Sequence, residues 1–226
     1  VCSSDLGNAI HIASARLAEK TRRAAAALLN VSPDDIELVD GNARARGMQG
    51  VQVPLAQIAR TLSGTPGFSL PEGLTPGLAE TENYQPPAMT YTNGAHVCEL
   101  EVDIATGHVK LNRYVVVHDC GRMINPLLVE GQILGGVVHG VGATLFEWMR
   151  YDANGQPLTV SYGDYLLPTA DVLPQIEIHH MESPTPVNPL GVKGAAESGT
   201  IGAPSAIASA IEDALKPFGV KIIDLP

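Results

Sequence analysis

The stretch that decides the fold is residues 95–117, Ala-His-Val-Cys-Glu-Leu-Glu-Val-Asp-Ile-Ala-Thr-Gly-His-Val-Lys-Leu-Asn-Arg-Tyr-Val-Val-Val. Up to Ile104 it alternates between an apolar and a largely acidic set of side chains, which is typical of a strand with one buried face. Residues 105–107, Ala-Thr-Gly, have the composition of a turn, and residues 109–117 return as a second strand. The sequence therefore predicts an antiparallel hairpin with a solvated acidic face.

A long helix is predicted to follow the hairpin. Asn125 is a good N-cap and Pro126 suits the first helical position. The apolar pattern then runs to about Trp148 and covers nearly every side of the helix, which predicts burial. Its glycines form two pairs spaced four apart, Gly131 with Gly135 and Gly136 with Gly140. Since helical glycine costs about 1 kcal/mol relative to alanine, we expect a protein segment or a ligand to come very close.

A membrane span is the competing interpretation of this glycine-rich helix. The uncharged run from Gln132 to Phe146 is shorter than the roughly 20 apolar residues that a bilayer requires. The run also contains His139. We therefore expect no membrane span.

A second glycine-rich segment, residues 188–204, reads Asn-Pro-Leu-Gly-Val-Lys-Gly-Ala-Ala-Glu-Ser-Gly-Thr-Ile-Gly-Ala-Pro. It places one carboxylate, Glu197, in a loop nearly devoid of other side chains, where a bulky ligand can approach the backbone. Such a carboxylate is placed to take a proton from a bound molecule. The alternative is a structural role, since a Glu before a helix commonly caps it or complements its dipole.

Periodicity and turn residues predict the remaining elements. They are helices over 8–29, 55–62 and 203–215, and strands over 36–39, 158–162 and 176–180, with a hairpin turn at 40–42. Residues 63–90 are rich in Gly, Pro and Thr and show no clear periodicity, which is typical of a functional loop or a crossover.

The composition is that of an ordered globular protein, with 226 residues of which 45% are hydrophobic and 17% charged. A net charge of −10 argues against nucleic-acid binding, which relies on basic stripes. Residues 1–6, Val-Cys-Ser-Ser-Asp-Leu, look like a translated sequencing-adapter end, so we set them aside as an artefact and expect the true N-terminus to be missing. We divide the rest into an N-terminal segment with a crossover, residues 7–90, and a C-terminal subdomain, residues 91–226.

The chain shows no spacing of metal ligands. Cys2, Cys98 and Cys120 form no Cys-x-x-Cys pair, which excludes a zinc ribbon or an iron–sulfur cradle built by this chain. His179 and His180 are adjacent and therefore point to opposite faces of a strand. So few cysteines fit a reducing compartment.

Three motifs, in this order, resemble the molybdenum hydroxylase family, the group of xanthine dehydrogenase, aldehyde oxidase and aerobic carbon monoxide dehydrogenase. They are Asp-Cys-Gly-Arg-Met-Ile-Asn-Pro at 119–126, Gly131-Gln132 with the glycines that follow, and Asn-Pro-Leu-Gly-Val-Lys-Gly-Ala-Ala-Glu-Ser-Gly at 188–199. The likeness covers about residues 7–219 and is to the C-terminal part of the molybdopterin-binding large subunit. It implies an α+β fold, a molybdopterin-binding domain with mixed sheets and a buried glycine-rich helix, truncated at the N-terminus.

By this resemblance, Glu197 matches the family's catalytic glutamate, which deprotonates a molybdenum-bound hydroxide before it attacks an electron-poor carbon. Gln132 matches a glutamine of the cofactor pocket; the alternative is a polar side chain bonded to a neighbouring loop. The flanking residues expected to shape the cofactor site are Gly131, Gly194, Ser198 and Gly199. No side chain here is expected to bind the metal directly, because the pterin holds molybdenum. Ala196 departs from the family's usual glycine, which is tolerable unless its φ is positive.

The resemblance implies a molybdenum-dependent oxidoreductase that hydroxylates an aldehyde or N-heterocycle, or oxidises carbon monoxide, with water as the oxygen source. Residues 164–168 and 188–193 look most like bacterial carbon monoxide dehydrogenase-type large subunits, a group that includes oxidases of other substrates. The implied cofactor is molybdopterin with molybdenum, in its simple or its cytosine dinucleotide form.

The implied partners are an iron–sulfur subunit with 2Fe-2S clusters and a flavin subunit with FAD, in a dimer of heterotrimers that acts on a small molecule. We expect a cytoplasmic protein, with the periplasm as the alternative. The fragment should be inactive alone, because the upstream half of the cofactor site lies outside it. The alternative function is a non-catalytic module that keeps the fold and binds a ligand or partner without the metal; Glu197 and Gln132 argue against it.

Overall fold

The computed structural model describes residues 2–225, with side chains from residue 5 onward. These residues form two compact units, residues 2–85 and the chain from Pro86 onward. Val1, the first of the six residues set aside as foreign, lies outside the described residues, and that assignment stays a prediction.

The first unit packs two helices against a small antiparallel sheet. Its elements are α1 (Cys2–Leu29), β1 (Ile36–Val39), β2 (Asn42–Ala45), β3 (Gln52–Pro54) and α2 (Leu55–Leu62). The sheet order is β1-β2-β3, and the core contains Ala24, Ala25, Ile36, Ala43, Val53, Ile58 and Leu62. The predicted helices and the β1–β2 hairpin are confirmed, although α1 begins six residues earlier than expected and β3 was not predicted. Residues 63–90 contain no helix or strand.

The second unit is a three-stranded mixed sheet covered by helices. Its elements are β4 (Asn93–Val102), β5 (Val109–Asp119), α3 (Pro126–Leu145), β6 (Ile176–His180), α4 (Ser198–Ile201) and α5 (Ala203–Leu215). Strands β4 and β5 form the predicted antiparallel hairpin, and β6 joins β5 in parallel. A parallel neighbour needs a crossover connection, which the segment containing α3 provides. The predicted α+β class with mixed sheets is confirmed.

Helix α3 forms where the sequence predicts it. The Asn125 side chain accepts a hydrogen bond from the Leu128 backbone N–H at 3.4 Å, and Pro126 occupies the first turn. Ile133, Val137 and Val141 recur every four residues and are fully buried. They pack with residues of β5 and α5, including Tyr114, Val116 and Ile207, to form the core.

Three sequence-based expectations for this unit are wrong. Helix α3 ends at Leu145 rather than Trp148, and it is buried along one face only, since Leu127, Leu128 and Leu134 on another face are exposed. Residues 158–162 do not form the predicted strand: no strand in the described part of the chain pairs with them, and Tyr162 is 81% exposed.

The length argument against a membrane span also fails, because α3 includes 20 residues and not only the run that begins at Gln132. By length and composition alone, α3 is the one helix among residues 2–225 that could cross a membrane. A core helix of a globular protein satisfies the same two criteria, and Ile133, Val137 and Val141 place α3 in the core of this unit.

Candidate active site

An open cleft of about 410 Å³ lies between α3 and the segment that leads into α4. Its lining residues are Gly131, Gln132, Gly135, Gly136, His139, Ala196, Glu197, Thr200 and Ile201. The cleft thus brings together Glu197, Gln132 and Gly131 from two segments that are far apart in sequence. Three other predicted site residues, Gly194, Ser198 and Gly199, do not line it.

Glu197 occupies the N-cap position of α4, but its side chain does not cap the helix. Its backbone carbonyl accepts hydrogen bonds from Thr200 N at 3.0 Å and Ile201 N at 3.3 Å. The residue is exposed, and no hydrogen bond to its carboxylate is found within residues 2–225. The capping interpretation of this residue is therefore not supported, and the carboxylate is free to act on a molecule in the cleft.

Gln132 is bonded to the loop that carries Glu197. Its Nε2 donates a hydrogen bond to the Ala196 carbonyl at 3.2 Å, across 64 positions of sequence. This is the alternative that the sequence left open for Gln132, and it still leaves Oε1 and one N–H free for a ligand. Ala196 does not have a positive φ, so replacing the family's usual glycine strains nothing.

The glycines of α3 divide into two sets by what they face. A Cβ at Gly136 would lie 2.9 Å from Gly199 Cα and Thr200 N, and one at Gly140 would collide with Ala203. These glycines therefore let α4 and α5 pack directly on α3. Gly131 and Gly135 have open space instead, so bare backbone lines the cleft on this side.

The remaining predicted residues lie at or near the start of α4 and do not line the cleft. Ser198 Oγ donates to the Ala195 carbonyl at 3.1 Å. Gly199 is buried, and a Cβ there would collide with the Ile133 carbonyl, so only glycine permits the contact between α4 and α3. Gly194 has open space around it.

His139 lines the cleft and was not singled out from the sequence. Its position on α3 could have indicated this, because His139 follows Gln132 by seven residues. Seven residues make about two helical turns, a rise of about 10.5 Å, so the two side chains lie on the same face of the helix. His139 is exposed and adds an imidazole ring to the side of the cleft formed by α3.

Lys193, which lies four residues before Glu197, is paired elsewhere. Its Nζ lies 3.3 Å from Asp119 Oδ2, at the end of β5. Asp119 also accepts hydrogen bonds from Gly121 N at 2.8 Å, Ser183 N at 3.1 Å and the Ser183 hydroxyl. Burial raises the pKa of Asp119, but the hydrogen bonds from Ser183, Gly121 and Lys193 outweigh it and hold the pKa well below its usual range. Asp119 therefore stays ionised, and this buried cluster was not predicted.

No group of three or more His, Cys, Asp or Glu residues suited to a metal ion occurs in the described part of the chain. His179 is exposed while His180 is half-buried, as expected for neighbours on a strand. Burial raises the pKa of the Cys98 thiol to about 11, so this thiol is protonated at neutral pH. It is therefore poorly suited to act as a nucleophile.

Residues 3–174 match the model of a family described as the molybdopterin cofactor-binding domain. The match covers most of the chain, which therefore belongs to this family. Glu197 lies beyond the matched residues. The resemblance to molybdenum hydroxylases seen in the motifs is confirmed.

Individual relatives cover almost the whole chain. It is 41% identical over 220 residues to the nicotine 6-hydroxylase large subunit of Paenarthrobacter nicotinovorans, which is 97% of this chain and 27% of that protein. It is similar to the structure of reconstituted CO dehydrogenase from Oligotropha carboxidovorans, with a TM-score of 0.82 and 33% identity over 97% of this chain and 27% of the other. It is also similar to the structure of quinoline 2-oxidoreductase from Pseudomonas putida 86, with a TM-score of 0.75 and 36% identity, over 92% of this chain and 26% of the other. The chain spans about a quarter of the length of these relatives.

The residues of the cleft fit a large, polar, flat cofactor. Side chains at Gly131 and Gly135 would project into open space, so their absence leaves room for a ligand against the helix backbone. Gln132 offers an acceptor and a donor there, and His139 offers a ring nitrogen. A pterin has many hydrogen-bonding atoms, and donors and acceptors of this kind can pair with them.

Proposed function

We propose that this chain contributes one side of the molybdopterin site in the large subunit of a molybdenum hydroxylase, and that Glu197 is its catalytic base. The observation that carries the proposal is the convergence of Glu197 and Gln132 on one cleft, where Gly131 and Gly135 expose bare backbone. A carboxylate without a structural partner, facing a ligand-sized cleft, is suited to proton transfer.

The cofactor is molybdopterin, in its simple or cytosine dinucleotide form, with molybdenum held through the pterin. Gln132 and the backbone at Gly131 and Gly135 would contact it. When bound, it supplies the two-electron acceptor that hydroxylation with water requires.

The protein's own contribution to the reaction is positioning and proton transfer. Glu197 accepts one proton from a water-derived oxygen in the cleft, which makes that oxygen a stronger nucleophile toward an electron-poor carbon. The bond from Gln132 to the Ala196 carbonyl fixes the residue directly before Glu197. Because the carboxylate sits at the start of α4, its position follows that of the backbone, and a shift of the loop would move it away from the reacting atoms.

The substrate is a small molecule with an electron-poor carbon, an aldehyde, an N-heterocycle or carbon monoxide. The names of the nicotine and quinoline enzymes favour an N-heterocycle. The name "large subunit" of the first relative supports assembly with other subunits. We propose an iron–sulfur subunit with 2Fe-2S clusters and a flavin subunit with FAD, in a cytoplasmic dimer of heterotrimers.

The test replaces Glu197 by Gln in the full-length large subunit, assembled with its partners. Losing the base should lower turnover by about 10²- to 10⁴-fold while molybdenum content stays at the parental level. Glu101→Gln removes an exposed carboxylate on β4, away from the cleft, and should leave turnover unchanged. Parental turnover in Glu197→Gln would overturn the assigned role.

The alternative, a non-catalytic module with the same fold, is not favoured. The relatives that cover the chain are named as enzymes. Glu197 and Gln132 also line one cleft.

A further inference from the structure

A buried ion pair lies at the start of the loop that carries Glu197. The side chains of Lys193 and Asp119 are 11% and 9% exposed, and Nζ lies 3.3 Å from Oδ2. Burying a charge destabilises the folded state unless the charge is paired and hydrogen-bonded. Asp119 meets this condition, because its carboxylate also accepts hydrogen bonds from Gly121 and Ser183.

Lys193 is held by its backbone as well as by its side chain. Its N–H donates to the Cys120 carbonyl at 2.8 Å, and the Arg122 N–H donates to the Gly191 carbonyl at 3.0 Å. Between these two bonds, Gly121 and Val192 form a bridge. The segment that precedes the Glu197 loop is thus attached to the end of β5.

The loop beyond Lys193 has little to anchor it by itself. Residues 194–196 are Gly-Ala-Ala, and no side chain among them can form a hydrogen bond. The next attachments are the bond from Gln132 Nε2 to the Ala196 carbonyl, the polar contact of the His96 ring with the Ser198 backbone, and the bond from Thr200 Oγ1 to the Gly136 carbonyl at 3.1 Å. Glu197 therefore lies between an ion pair at the end of β5 and polar contacts with α3 and β4.

We propose that Lys193 and Asp119 are positioning residues for Glu197. They do not contact the cleft, and their ion pair fixes the starting point of the four-residue path from Lys193 to the catalytic carboxylate. This inference rests on the proposed function. Ser183 completes the site, since its hydroxyl and N–H both bind the Asp119 carboxylate.

The test uses Lys193→Met, Asp119→Asn and the double variant in the full-length large subunit assembled with its partners. A displaced carboxylate should lower kcat by about 10- to 100-fold, with KM and molybdenum content near parental. Hydrogen exchange of the amides in residues 194–198 should become faster in every variant. The double variant leaves no unpaired buried charge, so it carries the test if the single variants fold poorly.

Arg113→Gln is the matched control, because it breaks an exposed ion pair on the same strand, in which Arg113 Nε lies 2.6 Å from Glu177 Oε1. It should change neither kcat nor loop exchange. Parental kcat and parental exchange in the double variant would overturn the positioning role of Lys193 and Asp119. A failure of the proposed function is recognised separately: Glu197→Gln would keep its turnover, whereas exchange of the loop amides reports on the positioning role without requiring activity.

Discussion

At the residue scale, the chemistry of Glu197 depends on where its neighbouring charges are committed. Lys193 is the nearest cation in sequence, yet its ammonium group pairs with Asp119 on β5. Glu197 keeps a carboxylate that no hydrogen bond within residues 2–225 occupies. Because Lys193 pairs with Asp119, the carboxylate of the proposed base, Glu197, stays available to a ligand.

The Asp119 carboxyl should make stability depend on pH in a defined window. Its pKa is lowered in the fold, so its stabilising contribution is complete above about pH 4, the usual value for an unfolded aspartate, and is lost as pH falls toward the folded-state pKa. Asp119→Asn leaves Lys193 buried without its partner, which should cost about 3–5 kcal/mol at pH 7. The difference in melting temperature between the parent and this variant should stay constant from about pH 5 to 8 and shrink below about pH 4.

Melting of the complete enzyme, followed at each pH, checks this expectation. Protonated aspartate and asparagine have nearly the same shape, so the two curves should approach each other in acid. A difference that stays constant down to pH 3 would mean that Asp119 carries no stabilising charge.

At the element scale, α3 serves two functions with two sets of glycines. Gly136 and Gly140 allow α4 and α5 to pack on the helix, whereas Gly131 and Gly135 leave its other side open to the cleft. Adjacent residues on one helix therefore differ in what limits their size. Contact with α4 and α5 limits the side-chain size at Gly136 and Gly140, whereas the proposed cofactor limits it at Gly131 and Gly135.

This division predicts opposite outcomes for two neighbouring substitutions. Gly136→Ala places a Cβ 2.9 Å from Gly199 Cα and should destabilise the protein by about 1–3 kcal/mol through overpacking. Gly135→Ala meets open space and should stabilise the helix by up to about 1 kcal/mol. Thermal melting of the complete enzyme without its cofactor distinguishes the two, and equal effects would contradict the division.

The elements were largely predictable because their signals are local. The hairpin of β4 and β5 follows from alternation, and the start of α3 follows from Asn125 and Pro126. The parallel pairing of β6 with β5 depends on a crossover, and no local pattern reports it. Residues 158–162 have the composition of a strand but find no partner strand among the described residues. The spacing of the glycines indicated close approach but not which pair would meet protein.

The site was predictable to a similar degree. Glu197 stood out because its loop has almost no other side chains, and Gln132 stood out by its motif. The ion pair of Lys193 with Asp119 joins residues 74 positions apart, so only the fold reveals it. The same holds for the bond between Gln132 and the Ala196 carbonyl, which the sequence offered only as an alternative.

At the scale of the whole molecule, the chain corresponds to about a quarter of the relatives that it matches. It spans 27% of the nicotine 6-hydroxylase large subunit and belongs to the molybdopterin cofactor-binding domain family. The cleft is open, as expected for one side of a site that another part of the large subunit completes. Substrate choice and electron transfer would then depend on those other parts, whereas the proton transfer assigned to Glu197 belongs to this chain.

If the cleft beside α3 holds the cofactor, the molybdenum content of the enzyme should depend on the space in that cleft. Gly135→Leu fills the cleft with a good helix former and meets no protein atom at its Cβ. The control is Leu134→Phe, which adds bulk at the preceding residue, a position that does not line the cleft. With molybdenum measured per assembled large subunit, the cleft model predicts near-complete loss in Gly135→Leu and parental content in Leu134→Phe. Parental molybdenum in a folded Gly135→Leu enzyme would contradict the model.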